Sequence, residues 1–217
     1  MFLYYCWSDT TLELDPKLER FIAYLDECFK RSGTIVVRPE ECIEQAMEIV
    51  NNVKKNNNVR DRETQIRNAM SVALEYAIDK AVPGSSSDYQ PGKMDPSDPH
   101  TFAYDNTVMF EGHEFTIDAT TIDSRGYLSD TLEPAGVSRS NGYRWGKFQT
   151  KNLHKNLIDV IVAGHITITT DDLILCDFDL IVDTKSMFDA SNWSRSQIPG
   201  KMFLSHDVCK IVQNSSK

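Results

Sequence analysis

The sequence predicts an α+β fold in which helices come first and a mixed β-sheet follows. Two observations support this fold class. The first third carries apolar residues at helical spacing, and the remainder contains short apolar or alternating segments that are typical of strands. A polar, Ser- and Pro-containing segment separates the two parts. With 217 residues, of which 41% are hydrophobic, the chain is long enough to bury a substantial core.

Three helices are expected in the first third. The first has Asp15 as its N-cap, Pro16 at its first helical position and Gly33 as its stop. The second opens at Pro39, with acidic residues in its first turn as the helix dipole prefers. The third covers about residues 62–82 and ends before a Pro-Gly pair. The chain is therefore expected to have three parts: a helical region 1–84, a linker loop 85–99 and a mixed α/β region 100–217, which could together form one continuous domain.

The mixed region is expected to begin with a hairpin that turns at Glu111-Gly112-His113. A helix is expected over residues 147–164, stopped by Gly164. Four strands are expected after it, at residues 165–170, 173–176, 180–188 and 207–212.

The net charge, the apolar runs and the cysteines limit the binding partners and the cellular location that we expect for this protein. The net charge of -9 argues against sequence-blind binding to nucleic acid and against binding to an anionic membrane surface. No apolar run approaches the roughly 18 residues of a membrane-spanning helix, and the opening MFLYYCW lacks the basic start of a signal peptide. Five cysteines without a CxxC pair are typical of buried free thiols. A cytoplasmic or other reducing intracellular location is therefore expected.

The strongest candidate site lies in the segment LILCDFDLIVDTK. If the chain turns at Asp177-Phe178-Asp179, Asp172 and Asp183 meet at one end of a hairpin. Two such carboxylates are suitable ligands for Mg²⁺ or Mn²⁺. Lys185 lies two positions after Asp183, on the same face of the strand, where it can stabilise developing charge or orient water.

Asp172, followed eleven positions later by Asp183-Thr184-Lys185, resembles the PD-(D/E)XK nuclease superfamily. The stretch LIVDTKSM is especially similar to the active strand of the type IIS restriction endonuclease cleavage domain. The likeness covers about residues 147–188. It implies a restriction-endonuclease-like core and metal-dependent hydrolysis of phosphodiester bonds in DNA or RNA, with Asp172 and Asp183 as metal ligands and Lys185 as the third catalytic residue.

A second placement of the same motif uses Asp105 and Asp118, on either side of the predicted hairpin. It follows a long helix, on which Glu63 or Glu75 could add a ligand, and it leaves enough chain for the rest of the family's core. The family's lysine position is then Thr120. The sequence favours the first placement by a small margin, because its three residues are complete.

The segment Ser138–Lys155 gathers cations among aromatic residues in an otherwise acidic chain. Arg139, Arg144, Lys147 and Lys151 are its candidate contacts to a phosphate backbone, with the aromatic rings available to unstacked bases. A solvated loop and helix edge explains the same composition equally well.

Two functions follow from these patterns. The first is a metal-dependent nuclease that binds nucleic acid, with the helical third as an accessory or dimerisation layer in a homodimer. The second is a non-enzymatic assembly or interaction protein, viral or cellular, in which the acidic residues are solvated surface.

Overall fold

The computed structural model describes residues 15–53, 65, 69–70, 72–93, 104–122, 143–145, 158–184, 193–195, 202–204 and 209–212. Among these residues, no helix is both long enough and apolar enough to cross a membrane.

The first elements whose bounds lie within the described residues are three helices and one short strand. They are α1 (Pro16–Ser32), β1 (Ile35–Val37), α2 (Pro39–Val53) and α3 (Ala73–Ala81). As predicted, α1 is capped by Asp15, whose carboxylate accepts a hydrogen bond from the Lys17 backbone N–H at 2.9 Å. The chain then leaves α1 at Gly33, where φ is +60°.

The later elements whose bounds lie within the described residues are strands, and most of them join one sheet. They are β2 (Ser85–Ser87), β3 (Asn106–Phe110), β4 (His113–Ile122), β5 (Tyr143–Trp145), β6 (Val160–Ile168), β7 (Ile174–Asp183), β8 (Trp193–Arg195), β9 (Met202–Leu204) and β10 (Cys209–Ile211). The main sheet has the order β1-β7-β6-β4-β3-β2, and β10 also pairs with β7. The pair β4–β6 is parallel, while the other pairs in this sheet are antiparallel. A second, three-stranded sheet has the order β5-β9-β8.

Helices α1 and α3 pack on one face of the main sheet. The Phe21 ring stacks on Phe115 of β4 at 4.2 Å, and Phe29 stacks on Phe178 of β7 at 4.0 Å. Both phenylalanines of α1 are fully buried. Because the sheet is covered by helices from the first third, residues from both predicted regions share one hydrophobic core.

The α+β class predicted from the sequence is confirmed, but three local predictions are wrong. The expected helix at 147–164 cannot extend over its last residues, because Val160–Ile168 is the strand β6; residues 147–157 lie outside the described part. The two strands expected at 173–176 and 180–188 are one continuous strand, β7, over the described residues. Ser85–Ser87, expected to be loop, is the strand β2, because its backbone pairs with β3.

Candidate functional site

The hairpin of β3 and β4 turns where the sequence predicted. Glu111 and Gly112, its two central residues, both have positive φ values, +49° and +76°. That combination defines the two-residue turn whose twist matches that of paired strands. The register runs from Phe110↔His113 to Asn106↔Ile117, so the residues just beyond this ladder lie together at the open end of the hairpin.

Asp105 and Asp118 meet at this open end. The Ala119 backbone N–H donates to Asp105 Oδ2 at 2.6 Å, and Asp105 N–H donates to the Ile117 carbonyl at 2.9 Å. The carboxyl groups of Asp105 and Asp118 are also hydrogen-bonded to each other.

Burial raises the pKa of Asp105 to about 6. The hydrogen bonds from Ala119 and Asp118 oppose this rise, and the charge of Asp88 adds to it. The Asp105 carboxyl therefore changes its charge near neutral pH, where an exposed aspartate is already ionised.

Glu75 approaches the same place from α3. It is only 8% exposed, and its Oε2 accepts a hydrogen bond from Gln45 Nε2 at 2.5 Å. Its pKa is raised well above the usual value, first by burial and then by the charge of Asp105. The Gln45 hydrogen bond opposes this rise, while the charges of Asp118 and Asp79 add to it. We call Glu75, Asp105 and Asp118 the carboxylate cluster.

Asn106 ties α3 to the start of β3. Its Nδ2 donates to the Glu75 carbonyl at 3.2 Å and to Asp79 Oδ1 at 2.9 Å. Ser85 Oγ donates to the same Asp79 oxygen at 2.6 Å. These bonds fix the α3 turn that carries Glu75 against the strand that follows Asp105.

The structure does not bring Asp172 and Asp183 together. Asp172 lies before β7 with a φ of +61°, and Asp183 is the last residue of that strand, 5% exposed. A ten-residue strand spans about 30 Å, so these carboxylates cannot share one ion. The predicted turn between them is wrong because Phe178 is buried and stacked on Phe29. Lys185 lies outside the described residues.

The acidic residues in the middle of β7 have polar partners. Thr34 Oγ1 donates to Asp177 Oδ1 at 2.5 Å, and His165 Nδ1 lies 2.5 Å from Asp179 Oδ2. Asp177 thus links the segment before β1 to β7, and Asp179 pairs with the neighbouring strand β6.

The other predicted residues are placed only in part. Thr120 follows Asp118 by two positions on β4, so both side chains are on the same face of the sheet. Arg144 belongs to β5, and its side chain is not described. The remaining candidates, Glu63, Arg139, Lys147 and Lys151, lie outside the described residues.

Sequence reasoning missed Gln45. It is 4% exposed and lies on the same buried side of α2 as Cys42 and Ala46, three positions before it and one after it. A glutamine in a buried helical stripe was the available signal, because a buried carboxamide needs hydrogen-bonding partners.

The donor chemistry of the carboxylate cluster suits a hard divalent cation, since carboxylate and carboxamide oxygens are the ligands such ions prefer. Two buried carboxamide oxygens beside the cluster, Gln45 Oε1 and Asn106 Oδ1, accept no hydrogen bond from the described residues. Within that part of the chain, no group of three or more His, Cys, Asp and Glu side chains is already arranged around a common metal position. The cluster thus offers suitable ligands that would have to draw closer around an ion.

Comparison with known proteins adds no further constraint. No protein-family model matches this chain, and no match was found among characterised proteins or solved structures. Function is therefore inferred from the described geometry together with the short motif resemblance.

Proposed function

We propose that this protein is a metal-dependent nuclease whose site is the carboxylate cluster of Glu75, Asp105 and Asp118. One observation carries the proposal. The β3–β4 hairpin brings Asp105 and Asp118 into hydrogen-bonding contact, close enough to the buried Glu75 for their charges to raise its pKa. Negative groups that burial and mutual repulsion disfavour are typical of functional sites.

The three carboxylates would hold Mg²⁺ or Mn²⁺. A bound divalent ion supplies an activated water and neutralises charge at the phosphate that is attacked. The chain's own groups position the ligands: the Ala119 N–H orients Asp105, and the Gln45 Nε2–H orients Glu75. Because burial raises the pKa of Asp105 to about 6, its carboxyl must lose its proton before it can act as an anionic ligand.

The order of the elements supports the same reading. A helix carrying Glu75 is followed by β2, by β3 directly after Asp105, and by β4 with Asp118. The later strand β6 is parallel to β4. This succession resembles the PD-(D/E)XK core, and it favours the placement at Asp105 and Asp118 over the one at Asp172 and Asp183.

Thr120 departs from the family pattern, because it stands where the motif has a lysine. A hydroxyl carries no positive charge, so the cluster would work without the cation that usually assists the attacking water. We propose that nucleic acid is held by the basic, aromatic segment instead, through Arg139, Arg144, Lys147 and Lys151. A net charge of -9 makes such a local patch necessary for binding a polyanion.

The decisive experiment compares Asp118→Asn with Asp172→Asn. Both substitutions remove one carboxylate charge, and asparagine tolerates the positive φ at position 172. Cleavage of labelled single- and double-stranded DNA and RNA would be measured with Mn²⁺, together with Mn²⁺ affinity by calorimetry.

We expect Asp118→Asn to lower cleavage by about 100-fold or more, whereas Asp172→Asn cleaves like the unaltered chain. The opposite pattern would move the site to β7. An unaltered chain that neither binds Mn²⁺ nor cleaves any of the four substrates would contradict the nuclease and favour an assembly or interaction protein.

A further inference from the structure

Gln45 is held in an unusual position for a neutral polar side chain. It is 4% exposed, its Nε2 donates to the Glu75 carboxylate, and its Oε1 accepts nothing from the described residues. When such a carboxamide is buried, its oxygen loses its hydrogen bonds to water and gains none in exchange, which costs free energy. Nearly all buried polar atoms have a partner, so this oxygen needs a physical explanation.

Asn106, the first residue of β3, repeats this arrangement. Its side chain is fully buried, and its Nδ2 bonds to the Glu75 carbonyl and to Asp79. Its Oδ1, like the Gln45 oxygen, accepts nothing from the described residues. The NH₂ groups of these two carboxamides thus bond to one turn of α3. Each carboxamide also has an oxygen that accepts no hydrogen bond from the described residues.

The surroundings of Gln45 are rich in acceptors. Gln45 bonds to Glu75, whose pKa the charges of Asp105 and Asp118 raise, and the two carboxamide oxygens add neutral acceptors. None of these described groups carries a positive charge. A divalent cation with part of its water shell supplies it, because hard cations take carboxylate, carboxamide and water oxygens together.

We infer that Gln45 belongs to the cation site, with its Oε1 as a neutral oxygen ligand or acceptor for an ion-bound water and its Nε2 holding Glu75. This inference rests on the proposed function. It extends the site to α2, an element outside the succession α3-β2-β3-β4.

The test uses Gln45→Met and Gln45→Glu in the full chain. Methionine keeps a similar length and flexibility but has no strong acceptor, whereas glutamate keeps the acceptor oxygens, loses the NH₂ group and gains a negative charge that a bound cation would attract. Ala46→Gly is the matched control, because it loosens the neighbouring position of α2 without touching a polar contact. For each variant, Mn²⁺ affinity is measured by calorimetry, and thermal unfolding is recorded without metal and with saturating Mn²⁺.

For Gln45→Met we expect Mn²⁺ to bind about 10-fold or more weakly, as for other groups that support a metal site. We also expect that Mn²⁺ raises the unfolding temperature of this variant less than that of the unaltered chain. Gln45→Glu should regain most of the affinity. Ala46→Gly should unfold at a lower temperature and still bind Mn²⁺ like the unaltered chain, which separates a ligand role from a packing role.

Two results would overturn the inference, and they differ in what they say of the nuclease. If Gln45→Met binds Mn²⁺ as tightly as the unaltered chain while Asp118→Asn does not, the cation site exists without Gln45. If the unaltered chain itself binds no Mn²⁺, both the inference and the proposed function fail.

Discussion

The hairpin of β3 and β4 and the long strand β7 carry nearly the same acidic pattern and have opposite outcomes. In the hairpin, Asp105 and Asp118 are hydrogen-bonded partners. Along β7, Asp172 and Asp183 lie at opposite ends of a continuous strand. A pair of aspartates at a suitable spacing therefore indicates a site only if the chain reverses between them.

The reason for the difference lies between the aspartates. Glu111 and Gly112 adopt positive φ and reverse the chain. At the corresponding place in β7, Phe178 is buried against Phe29 of α1. A side chain that is needed in the core cannot stand at the tip of a solvent-exposed turn.

The two regions also differ in how their acidic groups are accommodated. Glu75 and Asp105 in the carboxylate cluster have raised pKa values, mainly because of burial. In β7, Asp177 and Asp179 bond to Thr34 and His165. We conclude that burial disfavours the charged forms of Glu75 and Asp105, whereas the β7 acids are part of the supporting structure.

Gly164→Ala tests the continuity of β7 and has the largest expected effect on stability. A methyl group at this position would lie 2.3 Å from the Asp177 carbonyl oxygen and 3.2 Å from Leu74 Cδ2. Since a backbone carbonyl cannot move without separating β6 from β7, we expect a loss of about 3 kcal/mol in the free energy of unfolding. Urea denaturation measures it. An unchanged midpoint would mean that β6 and β7 do not approach this closely, and the contrast with the hairpin would weaken.

Stability as a function of pH tests the strain in the carboxylate cluster. The pKa of Asp105 is raised from 3.8 to about 6, so the folded chain binds this proton more tightly than the unfolded chain does. The stabilisation is therefore fully present below about pH 4 and lost as the pH rises through about 6. We expect the unfolding free energy to fall by about 2 kcal/mol across this range, after allowance for partial solvent screening.

Glu75→Gln should stabilise the folded chain at neutral pH. Removing a carboxylate whose ionisation burial opposes is expected to raise the unfolding free energy at pH 7 by about 1 kcal/mol, while Mn²⁺ affinity falls. Denaturation at pH 4 is the internal control, because Glu75 is protonated there in the folded state and the gain should shrink. A variant that is less stable than the original at pH 7 would show that Glu75 is not strained.

Gly112→Ala tests the turn. No atom lies near enough to obstruct a methyl group at this position, but the φ of +76° disfavours any side chain. We therefore expect a loss of about 1 kcal/mol in unfolding free energy. This is smaller than for Gly164→Ala, whose obstacle is a carbonyl oxygen. Equal losses in the two variants would contradict the distinction between backbone conformation and close packing.

Asp177→Asn should have the smallest effect and the opposite sign to Glu75→Gln. Asparagine still offers an oxygen to Thr34 Oγ1 but loses the stronger acceptor, so we expect a loss of about 0.5 kcal/mol. Mn²⁺ affinity should not change. A marked loss of Mn²⁺ binding in this variant would return the metal site to β7.

The sequence by itself determined the features that depend on neighbouring residues. The cap at Asp15, the stop at Gly33, the turn at Glu111-Gly112 and the α+β class follow from local rules of spacing and backbone conformation. For the same reason the hairpin of Asp105 and Asp118 was among the two predicted placements.

Tertiary structure alone determined which of the two pairs of aspartates lies together. That Phe178 packs on Phe29, that Val160–Ile168 joins the sheet beside β4, and that Glu75 is buried against Gln45 all depend on contacts between residues far apart in the chain. An apolar run has the same local pattern whether it is a buried strand or a buried helix. Only its neighbours in space determine whether two aspartates meet or lie about 30 Å apart.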